Sequence, residues 1–295
     1  ERRPAMKKNQ KCLLIDKLIE EGWFVDEKEA MPWVMDRKVL VNDEPATSCK
    51  EKIKLDSVIR VKEYYKKKYV NKGGFKLEGA IKDFAINVEG KVALDCGAST
   101  GGFTDCLLTN GAQKVYAVDV GYGQLAGKLA INDRVVNLEK TNLSDSVLCT
   151  LDPTPEIITL DLSYLSLVDA LPICKDIFKG HPGIVICLVK PIYEVESSEI
   201  CQNGKINDPD ILRDVLKKLC DKFIEENIPI CGITNSPITG NSGTLEYFIH
   251  IELNNNCTTI IDEIDEKIDS AIQRSFELVK FKKRDYECID TSKIH

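Results

Sequence analysis

The sequence predicts an α/β fold with a mostly parallel sheet, preceded by a small α+β unit. From about residue 90, short apolar runs alternate with helical stretches, which is typical of βαβ units around a parallel sheet. A glycine-rich turn follows the first of these runs and opens a helix, as expected at the ligand-binding edge of such a sheet. At 295 residues, the chain is long enough for about two domains.

The front of the chain, residues 11–63, predicts two short helices followed by short strands. Apolar residues from Leu13 to Ile19 recur at helical spacing, and Gly22 should end that first helix. A second helix is expected at 26–36, where Pro32 should start or interrupt it. A strand at 39–41, a turn at 42–45 and a strand at 58–61 should follow. A unit this small leaves little room for a catalytic pocket, so we expect it to bind a partner.

The rest of the chain predicts a larger sheet flanked by helices. The clearest helix covers 208–227, because Asp208 and Pro209 supply an N-cap and a first-turn proline. A further surface helix is expected at 260–282. We predict strands at 91–95, 114–120, 134–138, 157–161, 183–190, 230–234 and 245–253.

Composition excludes several classes of protein. The twelve cysteines include no CxxC pair, and the three histidines have no metal-ligand spacing, so we expect neither a disulfide framework nor a metal site. The longest apolar run, Gly183 to Val189, is far shorter than the roughly 20 residues of a membrane helix. Residues 1–5, ahead of Met6, lack a signal-peptide core, and we interpret them as an expression remnant. These observations favour a cytoplasmic protein.

Charge is distributed unevenly along the chain. The formal net charge is −7, yet residues 1–76 contain 19 Lys and Arg against 13 Asp and Glu. The excess includes Lys66, Lys67, Lys68 and Lys72, interleaved with three tyrosines, a mixture suited to phosphate contact and base stacking. We therefore predict that these four lysines bind RNA. For Lys66, Lys67 and Lys68, a solvated linker at 64–71 explains the run of charges equally well.

The glycine-rich turn after the first large-domain strand predicts a cofactor loop. It reads D-x-G-x-x-x-G-G from Asp95, with Gly97, Ser99 and Gly101 at the bend, and not GxGxxG. An acid there would repel a pyrophosphate but suits a cation, and Asp119 at the end of the next strand could bind ribose hydroxyls. Together these residues favour S-adenosylmethionine; a glycine loop that serves only a tight turn is the alternative.

Two further residues are weaker candidates for contact with the cofactor. Asn142, after the third strand, could contact the adenine of the cofactor or simply cap the following turn. Phe103 is predicted to pack within its helix and not to contact the ligand.

Several longer segments resemble the TlyA family, bacterial proteins once called haemolysins and regarded as ribosomal-RNA 2′-O-methyltransferases with an FtsJ-like catalytic domain. Residues 11–63 resemble, more loosely, an RNA-binding domain of a small-subunit ribosomal protein. The matching segments are Lys72–Leu77, Asp95–Leu108, Val115–Leu125, Leu188–Pro191 and Ser236–Gly240. The resemblance implies a Rossmann-like, S-adenosylmethionine-dependent methyltransferase domain behind a small RNA-binding domain.

The resemblance also implies a Lys-Asp-Lys-Glu tetrad, which falls on Lys76, Asp161, Lys190 and Glu246. A ribose hydroxyl needs a base, and Lys190 is the candidate. A lysine acts as a base only where burial or a second cation lowers its pKa, and Lys76 could supply that cation. The two acids have the opposite effect, because they favour charged lysines, so we expect them to orient the two amines. Without the family, Lys190 or Glu246 alone would be interpreted as a surface charge at a sheet edge.

The resemblance gives a division of the chain and a function. We expect an RNA-binding domain at 1–63, a basic linker at 64–71, a methyltransferase domain at 72–255 and a helical extension at 256–295. The expected activity is 2′-O-methylation of cytidine in ribosomal RNA within ribosomal subunits. A ribosome assembly factor with little catalysis is one alternative, and a membrane-active haemolysin is a weaker one.

Several residues depart from the family pattern. Lys72 replaces the usual arginine, which keeps the charge and loses the planar fork. Asp26 and Glu27 stand where a serine and an arginine are expected, which predicts weaker RNA binding by the front unit.

Overall fold

The computed structural model describes residues 11–278 except 22, 25, 63–67, 195–205, 207, 241–242 and 256–260. These residues fall into two compact units, one ending at Lys68 and one beginning at Tyr69. Residues 64–67 of the linker predicted at 64–71, with Lys66 and Lys67, lie outside the described residues, as do residues 1–10. Residues 69–71 belong to the larger unit.

The described residues of the small unit form two helices and five short strands. Strands β1 and β4 pair antiparallel, and β2 lies between β3 and β5 in a second sheet. Leu14, Leu18, Val34 and Ile59 are among the apolar side chains of its core. The elements are β1 (Lys11–Leu13), α1 (Leu14–Glu20), α2 (Glu27–Met35), β2 (Val39–Val41), β3 (Glu44–Pro45), β4 (Lys52–Lys54) and β5 (Ile59–Val61).

Local details of this unit differ from the sequence prediction. Leu13 ends a strand and does not begin the helix, because it pairs with Lys52 of β4. Pro32 lies inside α2 and does not interrupt it, and Asp26 caps the helix by accepting a hydrogen bond from the Glu29 amide at 2.8 Å. The predicted four-residue turn is shorter, because Glu44–Pro45 already pairs with β2.

In the larger unit, the part of the chain that the structure describes forms seven strands with helices between them, and all seven predicted strands are present. Its strands are β6 (Val92–Cys96), β7 (Lys114–Asp119), β8 (Val135–Glu139), β9 (Ile157–Leu160), β10 (Gly183–Val189), β11 (Ile230–Asn235) and β12 (Tyr247–Leu253). Its helices are α3 (Gly73–Asp83), α4 (Gly102–Thr109), α5 (Gly127–Ala130), α6 (Leu167–Ile177), α7 (Pro191–Glu194), α8 (Pro209–Glu225) and α9 (Ile264–Phe276).

The seven strands form one sheet in the order β8-β7-β6-β9-β10-β12-β11. Strands β8, β7, β6, β9 and β10 are parallel, whereas β12 runs antiparallel to both of its neighbours. The strand order reverses between β6 and β9, because β7 and β8 follow β6 on one side of it, whereas β9 and β10 lie on its other side. In open α/β sheets, ligands bind at such a reversal, beyond the carboxyl ends of the strands.

Helices cover both faces of the sheet. Leu212, Leu216 and Phe223 of α8 are buried on one face, as the sequence pattern predicted. Helix α9 packs against α8 and β11 through Ile264 and Ile268, so it forms part of the core of the larger unit. Residues 261–278 of the predicted helical extension thus belong to the larger compact unit. No helix within the described residues is long and apolar enough to cross a bilayer.

Candidate active site

A cleft of about 460 Å³ opens at the carboxyl edge of the sheet, next to the reversal of strand order. The start of α3, the glycine loop after β6 and the residues following β9 and β10 form its walls, together with the residues preceding β12. The four tetrad candidates all line this cleft: Lys76, Asp161, Lys190 and Glu246.

The sheet topology explains why the tetrad meets at one edge. Asp161 and Lys190 directly follow β9 and β10, which are parallel neighbours. Glu246 directly precedes β12, which is antiparallel to β10, with Tyr247 paired to Val189. The amino end of β12 therefore lies at the same edge as the carboxyl ends of the other two strands. Lys76 reaches this edge from the first turn of α3.

Within the tetrad, the structure joins the side chains as two ion pairs. Lys76 pairs with Glu246, and their side chains are only 8% and 6% exposed. Lys190 pairs with Asp161 at 2.5 Å between Nζ and Oδ1, and these side chains are 20% and 27% exposed. Each lysine thus has its own carboxylate, an arrangement that orients the amines toward the cleft.

Gly97 lets the loop after β6 lie directly against β9. Its φ is +86°, and a Cβ there would lie 2.3 Å from the backbone oxygen of Asp161. A side chain would therefore strain the backbone and push the loop away from a tetrad residue. Gly97 and Ser99 line the cleft, as expected of a cofactor loop.

Gly101 has a different role in the same loop. Its φ is +97° where it caps α4, and a Cβ would lie 2.2 Å from Leu129 Cδ1. The absence of a side chain thus permits tight packing beneath the loop, and Gly101 is not part of the cleft lining. Phe103 is buried and packs against Phe248, with 6.2 Å between ring centroids, although it also borders the cleft.

Asp95 lies beneath the loop with no exposed surface. Its carboxylate accepts hydrogen bonds from the hydroxyls of Thr104 at 2.7 Å and Thr159 at 3.0 Å. Burial raises the pKa of Asp95 to about 6, and the two hydroxyls oppose the rise. In this structure Asp95 supports the loop from below, whereas the sequence predicted a direct contact with the cofactor.

Asp119 fixes the loop from the side. Its two carboxylate oxygens accept hydrogen bonds from the amides of Ser99 and Gly121, each at 2.7 Å. Ser99 has a φ of +50°, and the carboxylate stabilises this left-handed conformation. A carboxylate accepts about four hydrogen bonds, so Asp119 retains acceptor capacity for a ligand.

Asn142 adopts the turn-capping role that the sequence left as an alternative. Its side-chain oxygen accepts hydrogen bonds from the amide and the hydroxyl of Ser144, at 3.2 Å and 3.1 Å. Its backbone amide donates to Asp145. The residue is not part of the cleft lining.

Lys72 places a third amine in the cleft. Burial lowers its pKa, the charge of Lys76 lowers it further, and Glu246 opposes these effects. Lys72 therefore lies close enough to Lys76 for the two charges to interact, while Lys76 as a second cation beside Lys190 stays a prediction. Lys68 is half-buried and belongs to the small unit.

Asn71 is a cleft residue that the sequence reasoning missed. Its side-chain amide donates to the Thr100 hydroxyl at 2.5 Å, and its side-chain oxygen accepts from the Gly73 amide at 2.7 Å. It thereby ties the glycine loop to the start of α3. The sequence feature that could have predicted this role is its position directly before Lys72 and Gly73, in a segment already assigned to the site.

The sheet order, the glycine loop at the reversal and the paired lysines define a methyltransferase of the α/β class. Residues 69–253 match the family model described as FtsJ-like methyltransferase, and this chain belongs to that family.

Three comparisons show how far the likeness extends. The Bacillus subtilis protein named as a candidate rRNA methyltransferase, YqxC, is 36% identical over 91% of this chain and 95% of its own. The 16S/23S rRNA (cytidine-2′-O)-methyltransferase TlyA of Mycobacterium tuberculosis is 32% identical, over 86% and 95%. A solved structure described as a candidate hemolysin, from Streptococcus thermophilus, has a TM-score of 0.65 at 32% identity, over 90% and 97%. The likeness therefore includes the small unit as well as the larger one.

Proposed function

We propose that this methyltransferase transfers a methyl group from S-adenosylmethionine to the 2′-hydroxyl of cytidine in ribosomal RNA. The observation that carries the proposal is the meeting of two lysine–carboxylate pairs in one cleft beside the glycine loop. The Mycobacterium tuberculosis relative, named for cytidine 2′-O-methylation of 16S and 23S rRNA, supports the choice of substrate.

The residues of the loop fit the proposed cofactor. Gly97 and Ser99 line the same cleft as Asp161 and Lys190, so a ligand held by the loop would lie close to the tetrad. Gly97, Ser99 and Asp119 would hold the cofactor, while Asp95 and Gly101 shape the loop beneath; Asn142 stays a prediction for the adenine. The cofactor would supply a methyl group activated by a positive sulfur.

In the proposed mechanism, the neutral form of Lys190 would take the proton of the ribose 2′-hydroxyl, and the bound cofactor would supply the methyl group to that oxygen. Asp161 positions the Lys190 amine. Lys76, held by Glu246, presents a positive charge that stabilises the developing negative charge on the oxygen. Alignment of the hydroxyl with the methyl group supplies much of the rate, because the two reactants are held in one cleft.

Ribosomal RNA would bind through the basic residues near the cleft. Lys72 lines the cleft, where its amine can contact a phosphate next to the target ribose. Lys66, Lys67 and Lys68 stay predictions of RNA contacts from the sequence alone. We expect ribosomal subunits as the partner and the cytoplasm as the location.

The experiment is transfer of labelled methyl groups to 30S and 50S subunits from a strain that lacks this enzyme. The wild-type protein should label one or both subunits, and the product should resist alkaline cleavage at the modified ribose. Lys190→Ala should abolish labelling, whereas Lys82→Ala, which removes an exposed lysine from α3, should not.

Labelling of a base in place of a ribose would overturn the choice of acceptor, and equal labelling by the Lys190 variant would remove this residue from the mechanism. Binding of cofactor and subunits without methylation at any assembly stage would favour an assembly factor. Release of dye from liposomes would instead support a membrane-active protein.

A further inference from the structure

A second recess of about 180 Å³ adjoins the cleft and shares Lys190 and Tyr193 with it. Its walls are residues 162–167 after β9, Leu188 of β10 and the turn that ends at Glu194. The volume equals that of about six liquid water molecules, which is enough for one pyrimidine ring. We call this space the base recess.

The turn after β10 places Glu194 close to the proposed base. The Tyr193 amide donates to the Lys190 backbone oxygen at 2.9 Å, which closes the first turn of α7. Residues four apart in such a turn lie on the same side of a helix. Lys190 and Glu194 therefore both line the base recess, separated by one helical turn.

The carboxylate of Glu194 is available to a ligand. Within the described part of the chain, it forms no ion pair or hydrogen bond, although burial raises its pKa against the opposing charge of Lys222. Tyr193 is 67% exposed and lies beside Lys190, with Nζ 5.9 Å from its ring centroid. An exposed ring beside a catalytic group suits stacking against a nucleobase.

We propose that the base recess receives the base of the target nucleotide, and that Glu194 accepts a hydrogen bond from the exocyclic amine of cytosine. This inference rests on the proposed function and adds a residue that selects the substrate. Cytosine presents an amine donor at the position where uracil presents a carbonyl acceptor, and a carboxylate accepts from the first and repels the second. Tyr193 supplies a stacking surface that any base could use.

The test compares two transcripts of the ribosomal RNA segment that carries the mapped methyl group, one with cytidine and one with uridine at the target. For wild-type protein, kcat/KM should favour cytidine by about tenfold or more. Glu194→Gln has nearly the same shape but can both donate and accept, so this preference should shrink toward unity. Glu225→Gln, an exposed glutamate on α8, is the matched control and should keep the wild-type preference.

Binding of S-adenosylmethionine, measured by calorimetry, should be the same for all three proteins and shows that the cleft is intact. Tyr193→Ala should raise KM for both transcripts equally, because stacking does not distinguish the bases. An unchanged preference for cytidine in Glu194→Gln overturns the inference while leaving the proposed function standing. Failure of the wild-type protein to methylate either transcript or intact subunits would instead reject the proposed function itself.

Discussion

The two ion pairs of the cleft consist of the same kinds of group but differ in their access to water. Lys76 and Glu246 are less than a tenth exposed, whereas Lys190 and Asp161 are about a fifth and a quarter exposed. A charge that is withdrawn from water depends on its partner for its stability, whereas a charge at the rim can still be hydrated. We infer that the buried pair contributes to the stability of the protein as well as to its chemistry, whereas the more exposed pair contributes mainly to the chemistry.

Glu246→Gln is expected to have the largest effect on stability. It leaves the Lys76 ammonium buried without a carboxylate, which should lower the free energy of unfolding by about 3–5 kcal/mol. Adding Lys76→Met should restore most of this loss, because no isolated buried charge then remains, but it should not restore methyl transfer. Urea unfolding at pH 7 measures both effects.

Lys82→Met provides the control, because it removes an exposed lysine from the same helix. A loss below about 1 kcal/mol in Glu246→Gln would show that water reaches this pair, and the contrast between the pairs would disappear.

Asp95 sharpens the comparison, because it is a fully buried carboxyl whose described hydrogen-bond partners are the hydroxyls of Thr104 and Thr159 and the Thr104 amide, none of which carries a charge. Its pKa is raised from 3.8 to about 6, so the folded protein binds this proton more tightly than the unfolded chain. Its contribution to stability is therefore greatest below about pH 4 and is lost as the pH rises through 6. Between these two pH limits, the contribution of Asp95 to the free energy of unfolding changes by about 3 kcal/mol.

Asp95→Asn cannot gain this proton. Relative to the variant, the wild-type protein should become more stable as the pH falls from 7 to 4, by about 3 kcal/mol in urea unfolding. Thr104→Val removes a hydrogen bond that lowers the pKa of Asp95, so it should move the transition to higher pH. A stability difference that does not change with pH would show that Asp95 is hydrated.

Asp161→Asn tests the more exposed pair. The loss of its charge should misplace the Lys190 amine and lower kcat by about 10²-fold, with little change in KM for RNA. The free energy of unfolding should change by less than about 1 kcal/mol, because both side chains reach water. Asp133→Asn, at an exposed aspartate, is the control and should leave kcat unchanged. A large loss of stability in Asp161→Asn would make the two pairs equivalent.

The sequence predicted the strands well because a parallel sheet buries both of its faces. Runs such as those of β6 and β10 are almost entirely apolar, and turn residues mark their ends. The strands missed in the small unit, β1, β3 and β4, are two or three residues long, and in β4 only Ile53 is buried. Short strands with one buried side chain produce too little pattern to be distinguished from loops.

The residue types of the tetrad followed from a family resemblance, but their pairing depends on the order of the strands. Glu246 reaches the cleft because β12 inserts between β10 and β11, a long-range event that local periodicity does not encode. The burial of Asp95 has the same origin, since β9 must lie beside β6 to bring Thr159 to its carboxylate. Sequence patterns therefore indicated which residues reach the edge of the sheet, while tertiary structure decides which of them touch.

The smallest effect on stability is expected at the amino ends of β6 and β9, at the edge of the sheet opposite the cleft. Lys91 and Glu156 precede β6 and β9 and form an ion pair at 2.7 Å, but their side chains are 41% and 43% exposed. A double-mutant cycle with Lys91→Ala and Glu156→Ala should give a coupling energy below about 1 kcal/mol, and methyl transfer should be unchanged. The same cycle at Lys76 and Glu246 should give a much larger coupling, because the geometry is similar and only burial differs. Equal coupling energies for Lys76–Glu246 and Lys91–Glu156 would show that burial does not determine the strength of these ion pairs.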